Sequence, residues 1–200
     1  MHGRDCSIRR HAVIIDAKTG WLVGARRVPS PNRDARPPRC SLDLIVVHGI
    51  SLPPSEFGGR WIDLFFTNEL PVDAHTYFAT IAHLRVSAHA LVRRDGSVTQ
   101  YVPFTERAWH AGESCHCTRY ACNDFSVGIE LEGADDIPYE GAQYEALAEI
   151  VSALRAAYPS LRTADIVGHS DIAPGRKTDP GPAFDWSALH RLLAPSVPPT

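Results

Sequence analysis

The residues best suited to chemistry concentrate in one stretch, Gly168-His169-Ser170-Asp171-Ile172-Ala173-Pro174-Gly175-Arg176-Lys177-Thr178-Asp179-Pro180-Gly181. An imidazole and a carboxylate ten residues apart, with an ammonium beside the carboxylate, suggest a metal site with an electrostatic helper. Lys177 and Asp179 are two apart, so in an extended segment they point the same way. A second histidine, His48, follows the apolar run Leu44, Ile45, Val46, Val47. His48, His169 and Asp179 together offer three protein ligands, the number a catalytic zinc uses while keeping a fourth position for water. Zinc lowers the pKa of such a water to about 7, which supplies hydroxide at neutral pH. Hydrolysis also needs a proton acceptor, for which Glu130 and Glu132 are the candidates. Lys177 has the charge to stabilise an oxyanion. His75, His83, His89 and His110 stay open as competing ligands, and spacing does not choose between the two glutamates.

These residues need elements to hold them. The apolar run 44–47 reads as a central strand ending at His48, and Asp165, Ile166, Val167 reads as a second strand ending at His169. Residues 125–132 alternate, with Phe125, Val127, Ile129 and Leu131 on one face and Ser126, Gly128, Glu130 and Glu132 on the other, the pattern of a half-buried strand. Residues 87–93 and 97–102 flank Asp95-Gly96, a strong hairpin signal. Helical spacing covers 74–84, 142–158 (ended by Pro159) and 186–193, and Trp61 to Phe66 suit a short amphipathic turn or a cleft wall. Residues 104–123 form a long irregular loop carrying Trp109 and His110, and long loops inside compact domains are often functional. Residues 168–181 hold too much Pro and Gly for regular structure. The expected fold is mixed α/β (α+β), a single domain with a central mixed β-sheet flanked by helices. Residues 1–20 read as a weakly organised extension, 21–194 as the domain and 195–200 as a disordered tail.

With 200 residues, 44% of them apolar and 22% charged, the chain can build one sizeable core. The net charge of −3 offers no basic footprint for nucleic acid, and no apolar run approaches the ~18 residues of a membrane span. Arg4, Arg9, Arg10 and His11 are followed only by Ala12, Val13, Ile14 and Ile15, short of a signal-peptide core, so the expected location is the cytosol. Of five cysteines, three cluster as Cys115-His116-Cys117 and Cys122. They read as free thiols in a polar loop, with a small zinc site as the sharper alternative, although no paired C-x-x-C is present.

Several ordered segments resemble the cytosolic 1,6-anhydro-N-acetylmuramoyl-L-alanine amidases of the AmpD type. They include Ala25-Arg26-Arg27-Val28-Pro29-Ser30-Pro31, Val46-Val47-His48, Glu56-Phe57-Gly58-Gly59, Leu84-Arg85-Val86-Ser87-Ala88-His89, Ala108-Trp109-His110-Ala111-Gly112, Asn123 through Gly133, and the 168–186 stretch. The resemblance covers about residues 21–190. It implies the phage lysozyme-type amidase fold, one Zn2+ at His48, His169 and Asp179, Glu130 (not Glu132) as general acid/base and Lys177 as transition-state stabiliser. It implies cleavage of the amide between the lactyl group of anhydro-muramic acid and L-alanine, in cell-wall recycling linked to β-lactamase regulation. Peptide stems carry carboxylates, so a guanidinium is expected in the pocket, Arg85 first and Arg119 second, with Trp109 a candidate to pack on the sugar. The expected partner is a soluble muropeptide, with no nucleic acid or membrane, and the expected state is a monomer. Three departures stand out: Gly49 where the family has Asn, Ser170 where it has Cys, and Ala121 where an arginine is expected. The first 20 residues, Cys115 and Cys117 have no counterpart in the pattern.

Two further function classes compete. A non-catalytic peptidoglycan-binding module of the same fold usually lacks a zinc ligand, and all three are present here. A serine hydrolase using Ser170 and His169 would need a hydroxyl aimed at the adjacent imidazole, which neighbouring residues do not normally achieve.

Overall fold

The computed structural model describes residues 13–194. Twelve strands are present among them: β1 (Ile15–Asp16), β2 (Trp21–Leu22), β3 (Arg26–Arg27), β4 (Arg33–Asp34), β5 (Leu44–Ile50), β6 (Ala90–Val92), β7 (Val98–Gln100), β8 (Arg107–Ala108), β9 (Cys115–His116), β10 (Arg119–Tyr120), β11 (Ser126–Glu132) and β12 (Asp165–Gly168). The α-helices are α1 (Trp61–Phe66), α2 (Thr76–Ile81), α3 (Gly141–Ala157), α4 (His169–Ile172) and α5 (Trp186–Leu193). Six strands build the central sheet in the order β12-β5-β11-β6-β7-β3. β12, β5, β11 and β6 run parallel, and the β6–β7 hairpin is antiparallel, so the sheet is mixed as expected.

Parallel strands need both faces covered, and the burial shows what covers them. Ile45, Val47, Val127, Ile129 and Leu131 form one face and pack with Leu147, Ile150, Val151 and Leu154 of α3 and Leu189 of α5. The other face divides. Leu44 and Val46 meet Ala111, Cys122, Phe125 and Ile172, while Leu91 joins Phe65, Phe66 and Phe78 under α1 and α2. Gln143 ties α3 to the sheet by donating to the Val92 and Glu132 carbonyls.

Some expectations need correction. All seven residues of β11 are buried, so it is not half-buried; the 104–123 loop covers its polar face, with the His110 ring against Gly128 and bonded to Ser126. The proposed boundary at residue 20 would cut a hairpin, since β1 pairs with β2 and Ile15 belongs to the main core. The 168–181 stretch is not wholly irregular, because Gly168 launches one helical turn, α4, with the Asp171 carboxylate accepting from the Gly168 N–H. The hairpin strands are shorter than the apolar runs suggest. Most of the supposed extension and the supposed tail lie outside the described residues. No helix among the described residues is long and apolar enough to cross a membrane.

Candidate metal centre

The parallel pairing of β5 with β11 puts His48 directly beside Glu130, on one face at the carboxyl ends of the strands. One strand further out, β12 ends at Gly168, and His169 opens α4. Ser170 N–H donates to the Asp179 carbonyl, which folds the Pro/Gly-rich loop back over the strand ends. His48 Nδ1, His169 Nδ1 and Asp179 Oδ2 consequently converge: the two nitrogens lie 3.0 Å apart, and the carboxylate oxygen lies 3.2 and 3.1 Å from them.

The outer hydrogen bonds settle which ring nitrogens carry protons. Ser126 Oγ has a single proton and gives it to the Cys122 carbonyl at 2.6 Å. It therefore accepts from His110 Nε2, 3.1 Å away, which leaves His110 Nδ1 as an acceptor. His48 Nε2 donates to that nitrogen at 2.9 Å, so His48 Nδ1 holds a bare lone pair. His169 Nε2 donates to the Ala111 carbonyl at 3.2 Å, so its Nδ1 also holds a lone pair. Two lone pairs and a carboxylate oxygen within hydrogen-bond distance repel one another unless a cation lies between them. Such fixing of the far ring nitrogen is how metal-bound histidines are commonly oriented.

Ionisation agrees with this. Burial pushes His48 down to about 4, against the opposing pull of Asp179, so its imidazole is neutral near pH 7. Burial, with neighbouring His48 and His89, lowers His110 far below an ordinary histidine, as its relay role requires. Burial first, then Asp179, pushes Glu130 well above the usual carboxylate range, with Lys177 opposing.

Glu130 is only 9% exposed, and its Oε2 has no hydrogen-bond partner among the described residues. It lines a cleft of about 370 Å³ together with His48, His110, His169, Lys177 and Asp179. Leu52, Phe65, Phe66, Tyr77, Ile81 and Leu84 give that cleft an apolar wall. Glu132, two residues on, is fully engaged elsewhere. Arg93 Nη1 and the Gly58 N–H both donate to its Oε1, at 3.0 and 2.7 Å. The structure thus separates two carboxylates that alternation left equivalent.

The substrate-binding candidates fare differently. Arg85 does not line the cleft, although Leu84 and Val86 on either side do; its Nη1 donates to the Ala82, His83 and Leu84 carbonyls beyond α2. Trp109 is half-buried and also does not line it; its backbone pairs with the cleft residue Ser87. Arg119 is not brought to the site at all. Its guanidinium bonds Asp43 at 2.5 Å and covers the Phe125 ring, on the separate two-stranded β9–β10 hairpin. Among the competing histidines, His89 is a structural residue, accepting the Gly128 N–H at its Nδ1.

Sequence reasoning missed the relay through His110 and Ser126, and one signal pointed to it. A Cβ on Gly128 would sit 2.3 Å from the His110 ring, so the glycine in the middle of a buried strand makes room for that imidazole. Asn123 Oδ1 holds the same loop by accepting the His110 and Ala111 N–H groups. At Gly49, a Cβ would meet the Tyr139 hydroxyl, which donates to the Pro180 carbonyl.

Comparison with known proteins agrees with this geometry. Residues 38–182 match the family described as N-acetylmuramoyl-L-alanine amidase. The 1,6-anhydro-N-acetylmuramyl-L-alanine amidase AmpD of Enterobacter cloacae is 59% identical over 179 residues, covering 90% of this chain and 95% of the relative. A crystal structure of a selenomethionine AmpD derivative superimposes with a TM-score of 0.87 at 56% identity, covering 90% of this chain and 99% of the other. The amidase AmiD from E. coli, in complex with anhydro-N-acetylmuramic acid-L-Ala-D-γ-Glu-L-Lys, superimposes with a TM-score of 0.55 at 28% identity, covering 90% of this chain and 65% of the other.

Proposed function

Because the chain belongs to the N-acetylmuramoyl-L-alanine amidase family, we propose that it hydrolyses the amide between the lactyl group of 1,6-anhydro-N-acetylmuramic acid and L-alanine, with one Zn2+ held by His48, His169 and Asp179. The observation that carries the metal is the set of three electron-pair donors facing one another, with both imidazoles oriented from behind. The two nitrogen and one oxygen donors suit zinc and leave a fourth position. Zinc bound there supplies an acidified water and a Lewis acid for the amide carbonyl.

The remaining chemistry falls to the protein. Glu130, with a free oxygen and a raised pKa, takes the proton of the attacking water and passes it to the departing L-alanine nitrogen as the C–N bond breaks. One carboxyl can do both because burial favours its protonated form while Lys177 favours its ionised one. Lys177 lines the same cleft and holds its charge where the carbonyl oxygen becomes an oxyanion. The apolar wall of Leu52, Phe65, Phe66 and Tyr77 excludes water from one side of the substrate, which strengthens those charges.

The substrate assignment rests on the AmpD relatives and on the muropeptide seen in AmiD. It fits a role in cytosolic cell-wall recycling. Arg85, flanked by two cleft residues, is the proposed contact for a stem-peptide carboxylate. The test combines metal analysis with a substrate comparison. One tightly held zinc per chain, lost in His48→Ala, and faster release of peptide from anhydro-muropeptides than from intact sacculi are expected. Full activity without zinc would overturn the metal assignment, and equal or faster attack on sacculi would overturn the recycling role.

A further inference from the structure

The loop between His110 and Asn123 and the start of β12 carry a second group of electron-pair donors, outside the cleft lining. β9 and β10 form a hairpin whose connecting residues, Cys117 and Thr118, both have positive φ (45° and 70°). Such two-residue turns usually take Gly, Asn or Asp. Here the turn sets the Cys117 thiol beside the imidazole of His116, with Sγ to Nε2 at 3.6 Å. The same Nε2 lies 3.1 Å from Asp165 Oδ2, at the start of the edge strand β12. All three donor atoms lie within 4.8 Å of one another.

These separations suit a metal. Bonds of about 2.0–2.3 Å in a tetrahedral arrangement put nitrogen, oxygen and sulfur donors about 3.3–3.7 Å apart. Arg119, opposite His116 in the hairpin, does not supply an uncompensated positive charge, since Asp43 pairs with it. The site lies on the surface, so ions reach it without opening the fold.

We propose that His116, Cys117 and Asp165 form a second, accessory site for a borderline divalent cation such as zinc. One imidazole, one thiolate and one carboxylate favour such an ion over calcium or magnesium, which prefer all-oxygen ligands. Binding there joins the hairpin to β12. Both segments position His169: Asp165 stands four residues before it, and the loop that leads into the hairpin supplies the Ala111 carbonyl on its Nε2. The accessory ion is a structural clip, weaker than the buried centre because its ligands are more exposed.

The test uses enzyme stripped of metal and given one equivalent of zinc, which fills the tighter cleft centre, and then titrated with cobalt(II) chloride under nitrogen. Only a site with a thiolate ligand gives cobalt a near-ultraviolet charge-transfer band, so the cleft centre is silent in this channel. The wild type should show the band at one cobalt per chain beyond the zinc already present. Cys117→Ser should abolish it, Asp165→Asn should weaken the affinity by at least about tenfold, and Cys115→Ser should keep it. Amidase turnover should survive in all three variants, which reports that they fold. No thiolate band in the wild type, a band that persists in Cys117→Ser, or one that depends on Cys115 would each overturn the proposal. None of these results bears on the metal at His48, whose content is measured separately.

Discussion

Replacing Glu130 by Gln keeps the shape of the side chain and removes its charge, and two opposite effects should follow. The variant should keep its zinc and lose about 10²–10⁴-fold in kcat, the usual worth of a positioned acid/base, or about 3–5 kcal/mol of barrier. Stability should move the other way. Glu130 is buried beside Asp179 with an unpartnered oxygen, and its folded pKa is raised above the unfolded value near 4.3. A carboxyl of that kind favours folding fully only below its unfolded pKa, and this advantage is lost as pH rises towards the folded value. Wild type therefore loses up to about 1.4 kcal/mol for each pH unit above about 4.3 at which the folded state keeps the proton. The glutamine variant does not titrate. Stripped of metal by a chelator, it should match wild type near pH 4 and unfold at a higher temperature at pH 8, by roughly 2–4 °C per kcal/mol for a chain of this size. The gap should narrow when metal is restored, because a cation beside Glu130 stabilises its carboxylate. Thermal unfolding across pH, with and without chelator, measures this. A variant less stable than wild type at pH 8 would mean that Glu130 makes a stabilising bond, and retained activity would place the base elsewhere.

Other substitutions probe the remaining parts. Lys177→Ala should lower kcat by about 10²–10³-fold with little change in KM, because its charge matters most when the oxyanion forms; a pure KM effect would make it a ground-state contact. Ser126→Ala removes the acceptor for His110 Nε2 and releases the tautomer of the relay, so zinc affinity should fall about 10–100-fold in a competition with a chromophoric chelator. Unchanged affinity would show that His48 is oriented without the relay. Arg85→Ala should raise KM for the muropeptide and leave zinc content and kcat in place; an unaltered KM would remove Arg85 from the binding surface.

Periodicity in the sequence reports which way a side chain faces but not what covers it, and β11 shows the consequence. Alternation put Ser126, Gly128, Glu130 and Glu132 on one face, and they share it. Their different fates come from partners remote in the chain. Ser126 completes a relay that begins at His48, Gly128 yields space to His110, Glu130 stands open beside His48, and Glu132 is held by Arg93 and Gly58. The ligand histidines were readable because an apolar strand that ends in a histidine carries its own boundary. The relay was not, since its members at 48, 110, 122 and 126 come from three separate segments. Arg119 misled for a related reason: a free guanidinium and one bound to Asp43 look identical in sequence.

The arrangement also explains why the site is built on parallel strands. His48 lies opposite Glu130 in the parallel register and β12 stops opposite Val47, so His169, the next residue, comes level with both. His48 and Glu130 are then fixed by the sheet itself, whereas His169 and Asp179 are fixed by a folded-back loop. The half on the sheet is buried and stiff. The half on the loop is tied down by the Ala111 carbonyl and the Ser170 N–H. A clip at His116 and Cys117 would therefore act on the less constrained half of the centre, where extra rigidity has the most to contribute.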